Sequence, residues 1–337
     1  MKLKITMSCA KINYSSINFA LTDIYVPKIG DVALFEVVKI GKHKTIQLTD
    51  KRNATILEKD KILASFANRY ATAQFEGYVP DEPTEILDIL GAGGAIGIVK
   101  SKNAAFHDIE PTKLKLIGYA MNDENEVVNT IYNQTQRKKF RGEVPNNASV
   151  ILSVGSTMDS GKTTTAAFLA RGLKLNNKKV AFIKLTGTCY SKDKDLVFDC
   201  GADVSLDFVD AGYPSTYMIT KPDLMDLYQT LLDQLIEFQP DFIVMEIADG
   251  LVQLETEELL MDKEFMKTIN HIALSCGDSL AAFWGIDFLA KLGRNPSIIA
   301  GRFTMSPLLI EEVEKRVNIP VKTLEGLMDN SIIELVS

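Results

Sequence analysis

The stretch Ser149–Leu173, SVILSVGSTMDSGKTTTAAFLARGL, limits what this chain can fold into more than any other. Ser149–Val154 is a short apolar run bounded by glycine, the pattern of a buried strand. Gly155–Gly161 is a glycine-bounded loop, and Lys162-Thr163-Thr164 opens the next segment. There Ala166, Leu169, Ala170 and Leu173 fall at i, i+3, i+4 and i+7, one apolar helix face. A strand that feeds a helix through such a loop aims backbone N–H groups at one spot, and the helix N-terminus adds its positive end. The result is a phosphate cradle, read as Gly155, Ser156, Thr157, Met158, Asp159, Ser160, Gly161, Lys162, Thr163 and Thr164. Lys162 is expected to reach the β- and γ-phosphates of a nucleotide, and the Thr163 hydroxyl to hold Mg²⁺. The strict spacing asks for glycine five residues before Gly161; Ser156 stands there, and the glycine comes one residue earlier, at Gly155.

Beyond the loop, apolar strands alternate with helical patterns. Strands are expected at Val180–Leu185, Asp241–Ile247, His271–Cys276, Ser297–Ala300 and Pro320–Leu324, with helices at Lys162–Leu175, Pro222–Phe238, Ser279–Lys291 and Pro307–Arg316. This alternation predicts an α/β domain, a mostly parallel sheet covered on both faces, over residues 147–337. Ligands of such sheets bind at the carboxyl ends of the strands, so chemistry is sought there. Lys184 ends the second strand, where an ammonium neutralises charge on a transferred phosphoryl group. Asp193, Asp195 and Asp199 follow on one segment, and one of them, Asp193 foremost, is expected to complete a Mg²⁺ shell. Glu246 ends the apolar run Phe242–Met245, in position to hold the metal or orient an attacking group, with Asp249 in reserve. Arg302, in the loop Gly301–Pro307, is the candidate contact to an anion. DFVDAGYPSTY (Asp207–Tyr217) reads equally as a substrate or switch loop and as a plain connection. Thr220-Lys221-Pro222-Asp223 has the form of a guanine-selecting motif but precedes the Glu246 strand, so it reads as a helix start.

The first 146 residues differ. Ile24–Val26, Val32–Ile40, Lys44–Leu48, Ala54–Leu57 and Lys61–Phe66 are short β-prone runs between turn signals, which predicts a small, mainly-β, barrel-like domain. Arg69 lies close to three aromatics, Tyr70, Phe75 and Tyr78, either as a barrel edge or as a ligand contact. Gly91–Gly97 lacks the third glycine of a dinucleotide fingerprint, because Ile96 holds that place, and reads as a tight turn. Polar Asn122–Asn133 and basic, turn-rich Arg137–Asn147 form the expected linker, with Arg137–Arg141 as a solvated charge run.

Charge follows the same division. Residues 1–148 carry a net +3 and residues 149–337 a net −10, within a formal total of −7. That front-half charge permits an acidic partner without the clustering of a dedicated nucleic-acid binder. Four scattered cysteines and three histidines argue against a disulfide framework or a zinc site. With no membrane-length apolar run and no signal-peptide pattern, a cytoplasmic protein is expected, in which the Asn-x-Ser/Thr triplets at Asn133 and Asn147 carry no sugar.

The loop Gly155-Ser-Thr-Met-Asp-Ser-Gly-Lys-Thr163 resembles the loop of dethiobiotin synthetases, and Ile183-Lys184 and Met245-Glu246 resemble their strand-end Lys and Glu. Cobyrinic acid diamide synthases and DUF1611-type proteins share the plan, all within the SIMIBI class of P-loop NTPases. The resemblance spans about residues 149–325. It implies ATP, Mg²⁺ on Thr163, an acidic residue near Asp193, Glu246, and a homodimer. The signature lysine of ParA-type proteins is absent, since Thr157 holds its place. Dethiobiotin synthetases are single-domain, and neither the 1–148 region nor DFVDAGYPSTY has a counterpart in them. The function expected is Mg²⁺-dependent ATP binding and hydrolysis, in a synthetase or ligase that phosphorylates a small carboxylate or carbamate. The alternative is a regulatory ATPase acting on a protein or nucleic-acid partner through the front domain.

Overall fold

The computed structural model describes residues 2–131 and 137–336, so Asn133 and the end of the polar 122–133 stretch lie outside it. The described residues divide into two compact units. The first holds residues 2–131 together with 187–191 and 208–218; the second holds 137–186, 192–207 and 219–336.

The first unit is built from short strands: β1 (Lys4–Ile5), β2 (Ser16–Asn18), β3 (Val32–Lys39), β4 (Thr45–Gln47), β5 (Asn53–Thr55), β6 (Lys61–Phe66), β7 (Phe75–Tyr78), β8 (Ile86–Gly91), β9 (Ala95–Lys102) and β10 (Lys113–Met121). The main sheet runs β1-β6-β3-β10-β8-β9-β7. β6 also pairs with β9 through Ser65↔Ala95 and Phe66↔Ile96, which closes β6, β3, β10, β8 and β9 into a ring. This is a small barrel, and closure removes the free edges a sheet this size would otherwise expose. Alternation fills its interior: Ala33, Phe35 and Val37 from β3 and Leu114 and Leu116 from β10 are buried. Phe35 packs edge-on to Phe66, and Phe66 stacks on Tyr119. Gly91–Gly97 contains the β8–β9 turn, where Gly94 takes φ +102°. The strand expected at Ile24–Val26 is a turn instead. Ile24 and Tyr25 both donate backbone N–H to the Leu21 carbonyl, which brings the Tyr25 hydroxyl to Asp31 at 2.9 Å. A polar partner for a half-buried tyrosine outweighs local β-propensity here.

The second unit is an α/β domain built on a parallel sheet. Its elements are β11 (Ser149–Gly155), α1 (Lys162–Leu175), β12 (Val180–Lys184), α2 (Lys192–Asp199), β13 (Val204–Asp207), α3 (Lys221–Asp233), β14 (Phe242–Glu246), α4 (Leu254–Met261), α5 (Lys263–Lys267), β15 (His271–Ser275), α6 (Ser279–Lys291), β16 (Ile298–Ala300), α7 (Pro307–Glu314), α8 (Leu324–Leu327) and α9 (Ile332–Val336). The strands lie in the order β13-β12-β14-β11-β15-β16, and every pairing is parallel. Ala166, Leu169, Ala170 and Leu173 of α1 are fully buried in a core with Ile151, Phe182 and Val244. The strand expected at Pro320–Leu324 is reduced to one bridge, Val321 to Ile299. Pro320 has no N–H to give a ladder, and Thr323 already caps α8 by accepting from Gly326.

Arg137–Arg141 is not a solvated run. Asp223, Asp226 and Asp233 share one face of α3. Lys139 reaches Asp226 at 2.8 Å, Arg141 reaches Asp233 at 2.7 Å, and Arg137 pairs with Asp223. Phe140 stacks on Tyr228 between them. Thr220-Lys221-Pro222-Asp223 is the start of α3: the Thr220 hydroxyl accepts from the Asp223 N–H, and Pro222 sits in the first turn. No helix among the described residues is long and apolar enough to cross a membrane.

Candidate functional site

β11 delivers the chain to the loop at Gly155, where a Cβ would lie 2.1 Å from Ser160 Oγ and 2.6 Å from the Lys162 stem. Only glycine lets the loop fold back this tightly. Gly161, at φ +102°, then turns the chain into α1. Lys162 is 7% exposed, and its ammonium is held inside the loop, donating to the Thr157 carbonyl at 2.9 Å and to the Asp249 carbonyl. Burial pushes its pKa down, against the attraction of Glu246 and Asp249.

The carboxyl ends of the neighbouring strands supply the rest. Register places Lys184 opposite Glu246 on β12 and β14, and Glu246 opposite Ser153 on β11. Glu246 is 1% exposed, and its Oε1 accepts from the Thr163 hydroxyl at 3.1 Å. Its Oε2 is buried without a hydrogen-bond partner. The Lys184 ammonium lies 3.6 Å from Glu246 and pairs with Asp193, in the first turn of α2. Burial opposes the Lys184 charge, but the two carboxylates prevail and hold it above the ordinary lysine range. Burial, with Asp193 nearby, raises Glu246, while Lys184 pulls the other way. Thr186 braces the turn after β14, its hydroxyl accepting from Ala248 N–H at 2.8 Å and donating to Ala248 C=O at 2.9 Å.

These groups line one cleft of about 580 Å³. Met158, Asp159, Gly161, Lys162, Thr163 and Thr164 face it from the loop and α1, and Lys184, Asp193, Glu246, Asp249 and Arg302 face it from elsewhere. Gly155, Ser156, Thr157 and Ser160 are not among its lining residues, and the Ser156 N–H is engaged by the Ser275 carbonyl at 2.9 Å. Asp195 and Asp199 do not line it either. Lys192 does, and its place in sequence between β12 and Asp193 is the signal that points to it. Arg302 is brought in by its own backbone, whose N–H donates to the Ser160 carbonyl at 3.0 Å.

The donor set sorts possible occupants. Two lysines beside the open end of a helix suit an anion with several oxygens. A hydroxyl and a carboxylate with an orphan oxygen suit a hard cation that completes its shell with water and phosphate, as Mg²⁺ does. No group of three or more His, Cys, Asp or Glu side chains arranged to hold a metal by themselves occurs among the described residues.

Neither a protein-family model nor a curated protein matches the chain. Solved structures do. The signal recognition particle receptor FtsY from Elizabethkingia anophelis in complex with GDP is 16% identical over 58% of this chain, with a TM-score of 0.39. A ParA family ATPase from Chlorobium tepidum TLS is 15% identical over 57% of this chain and 94% of its own length, with a TM-score of 0.33. The kinase domain of the Escherichia coli tyrosine kinase ETK is 15% identical over 48% of this chain and 70% of its own length, with a TM-score of 0.35. The chain matches 61% of the FtsY length. Likeness at this level adds no chemistry to the site, which rests on its own geometry.

Proposed function

We propose that this chain is a Mg²⁺-dependent ATP-binding and ATP-hydrolysing enzyme, and that it acts as a synthetase or ligase that phosphorylates a small carboxylate or carbamate. The observation that carries the reading is the meeting of Lys162, Thr163, Lys184, Asp193 and Glu246 in one cleft at the carboxyl ends of parallel strands. In this reading Lys162 holds the terminal phosphate oxygens, and Lys184 draws negative charge off the phosphoryl group as it transfers. Both ammonium groups are already positioned by backbone carbonyls or carboxylates, so little reorganisation accompanies the reaction. Mg²⁺, when bound, neutralises phosphate charge; Thr163, Glu246 and Asp193 are the residues proposed to hold it. The loop and strand-end likeness to dethiobiotin synthetases supports the ligase form and a homodimer, and a cytoplasmic setting is part of the proposal. A functional division into a 1–146 accessory domain and a 147–337 nucleotide domain is a further part of the proposal.

A second reading is a regulatory ATPase. It is favoured by one observation: residues 187–191 and 208–218, which directly follow β12 and β13, belong to the β unit. A strand-end segment built into another unit is a means of passing on a change of nucleotide state.

ATP turnover of the purified protein, with and without small carboxylates and amines, separates the two. Lys162→Ala is expected to lower kcat/KM about 10²–10³-fold, the scale for losing one charge-stabilising donor. Unchanged turnover in that variant would sink the site assignment. Glu246→Gln is expected to keep ATP binding and slow turnover; loss of binding instead would make Glu246 structural.

A further inference from the structure

We propose that the β unit carries a second site, which binds a small molecule through a carboxylate or phosphate oxyanion where Lys42, Arg69 and His43 meet. This is independent of the reading of the nucleotide cleft. The three side chains line a cavity of about 290 Å³ with Gln74, residues 91–92 and residues 188–190, all within the first unit. That volume sits at the small end of ligand pockets.

The electrostatics name the ligand. Among the described residues lining the cavity there are two cations and no Asp or Glu. The oxygen that joins the cations belongs to a neutral amide: Gln74 Oε1 accepts from Lys42 Nζ at 2.5 Å and from Arg69 Nη2 at 2.9 Å. The Lys42 ammonium is fixed further by Phe75 and Phe106, whose ring centres lie 4.7 and 4.6 Å away. Arg69 is fixed by the Leu90 carbonyl. The cations are therefore held in place, rather than free to turn toward solvent.

His43 is the independent observation. It is 9% exposed, and its Nδ1 is buried without a hydrogen-bond partner. Burial, then the charges of Arg69 and Lys42, push its pKa down to about 3, so the ring is neutral. A hydrogen bond to the Ile89 backbone takes the one N–H of the neutral ring, so the unpartnered Nδ1 is an acceptor, suited to an O–H that the ligand carries beside its oxyanion. Burial, then Arg69, also push Lys42 down to about 8, as expected for a cation whose counter-charge comes from outside the lining. The segment 188–190 that completes the wall is held by its own bonds. Cys189 N–H donates to the Pro214 carbonyl at 2.9 Å, and the Tyr190 hydroxyl meets Asn53 Oδ1 at 3.1 Å.

The test is calorimetric titration of the full chain with sodium phosphate and, separately, with succinate, which distinguishes the two sources of oxyanion. Wild type, Lys162→Ala, Lys42→Met and Gln74→Glu are compared, with melting temperatures in parallel. Lys162→Ala weakens the other cationic cleft, which keeps Lys184, Lys192 and Arg302, so anion binding that persists in it and is lost in Lys42→Met belongs to the β unit. Lys42→Met keeps the stem against the two rings and is expected to weaken binding at least about tenfold, the loss of one charge-assisted contact. Gln74→Glu supplies an internal counter-charge; it is expected to raise the melting temperature and remove binding. If Lys42→Met fails to fold, Gln74→Glu decides alone. Heat from neither anion overturns the proposal, as does binding that Lys42→Met and Gln74→Glu leave intact, or binding lost only in Lys162→Ala. ATP binding is expected to survive Lys42→Met. Absence of ATP binding in wild type beside retained anion binding would count against the nucleotide reading alone.

Discussion

Lys184 and Glu246 illustrate how much of a site can follow from strand register. They are partners on adjacent parallel strands, so the sheet itself sets their separation at 3.6 Å. Each is almost wholly buried, and removing the cation leaves a carboxylate desolvated beside Asp193. Lys184→Met is expected to destabilise the fold by about 3–5 kcal/mol, whereas Lys184→Met with Glu246→Gln recovers most of that loss. Urea denaturation of the two single variants and the double variant measures the coupling; additive losses would show that the pair does not interact. Both residues were legible in the sequence, because a charge closing an apolar run has to emerge at a strand's carboxyl end. Asp193 was separable from Asp195 and Asp199 only by helix geometry. α2, with Lys and Asp at alternating positions, gives little apolar periodicity, so its helical register was hidden. His43 left no trace at all, since a lone histidine between lysines shows neither its burial nor its neighbours.

α3 works at the next scale. Its inner positions Leu224, Leu227, Tyr228 and Leu231 are buried, while Asp223, Asp226 and Asp233 gather the basic segment 137–141. The Asp226 carboxylate also accepts from the Phe140 N–H at 3.0 Å, so it serves a backbone donor as well as two cations. Burial opposes its charge, but Lys139, the Phe140 N–H and Arg137 hold its pKa below the ordinary carboxylate value. A folded pKa below the unfolded one means that the contribution is present above about pH 3.9 and is lost as pH falls through the lower folded value. Asp226→Ala is expected to cost about 1–3 kcal/mol near neutrality, mostly through the backbone donor left unpaired, since Lys139 is solvent-exposed. Denaturation at pH 7 and at pH 3 checks this; an equal loss at both would exclude the charged form as the source. The basic run looked solvated because its acidic partners lie about 90 residues downstream, a distance that pattern reading along the chain does not bridge.

At the scale of the molecule, the barrel and the parallel sheet were both foreshadowed by periodicity, strand lengths and turn signals. What periodicity could not convey is that the β unit is completed from the second half of the chain. Phe208, Ala211 and Tyr213 are buried, and Tyr217 packs 5.3 Å from Tyr70 while its hydroxyl meets that of Tyr78 at 3.2 Å. The segment 208–217, polar enough to pass for an open loop, is interior structure of that unit. A fragment ending at residue 146 therefore lacks part of its own core. It is expected to unfold at markedly lower denaturant than the same region in the full chain, or to aggregate; tryptophan-free far-UV circular dichroism against urea measures this. A fragment as stable as the intact unit would contradict the assignment.

The completion of the barrel has one more consequence, for modularity. After leaving the β unit beyond residue 131, the chain returns to it at 187–191 and again at 208–218. Lys184 precedes the first return by three residues, and Asp193 follows it by two. Neither unit can be transplanted, duplicated or lost as one uninterrupted cassette. Recombination that exchanges the barrel has to carry three separate stretches of gene, one of which, 187–191, abuts Lys192 and Asp193 of the candidate cleft. The two units are thus bound to a shared history by the path of the backbone.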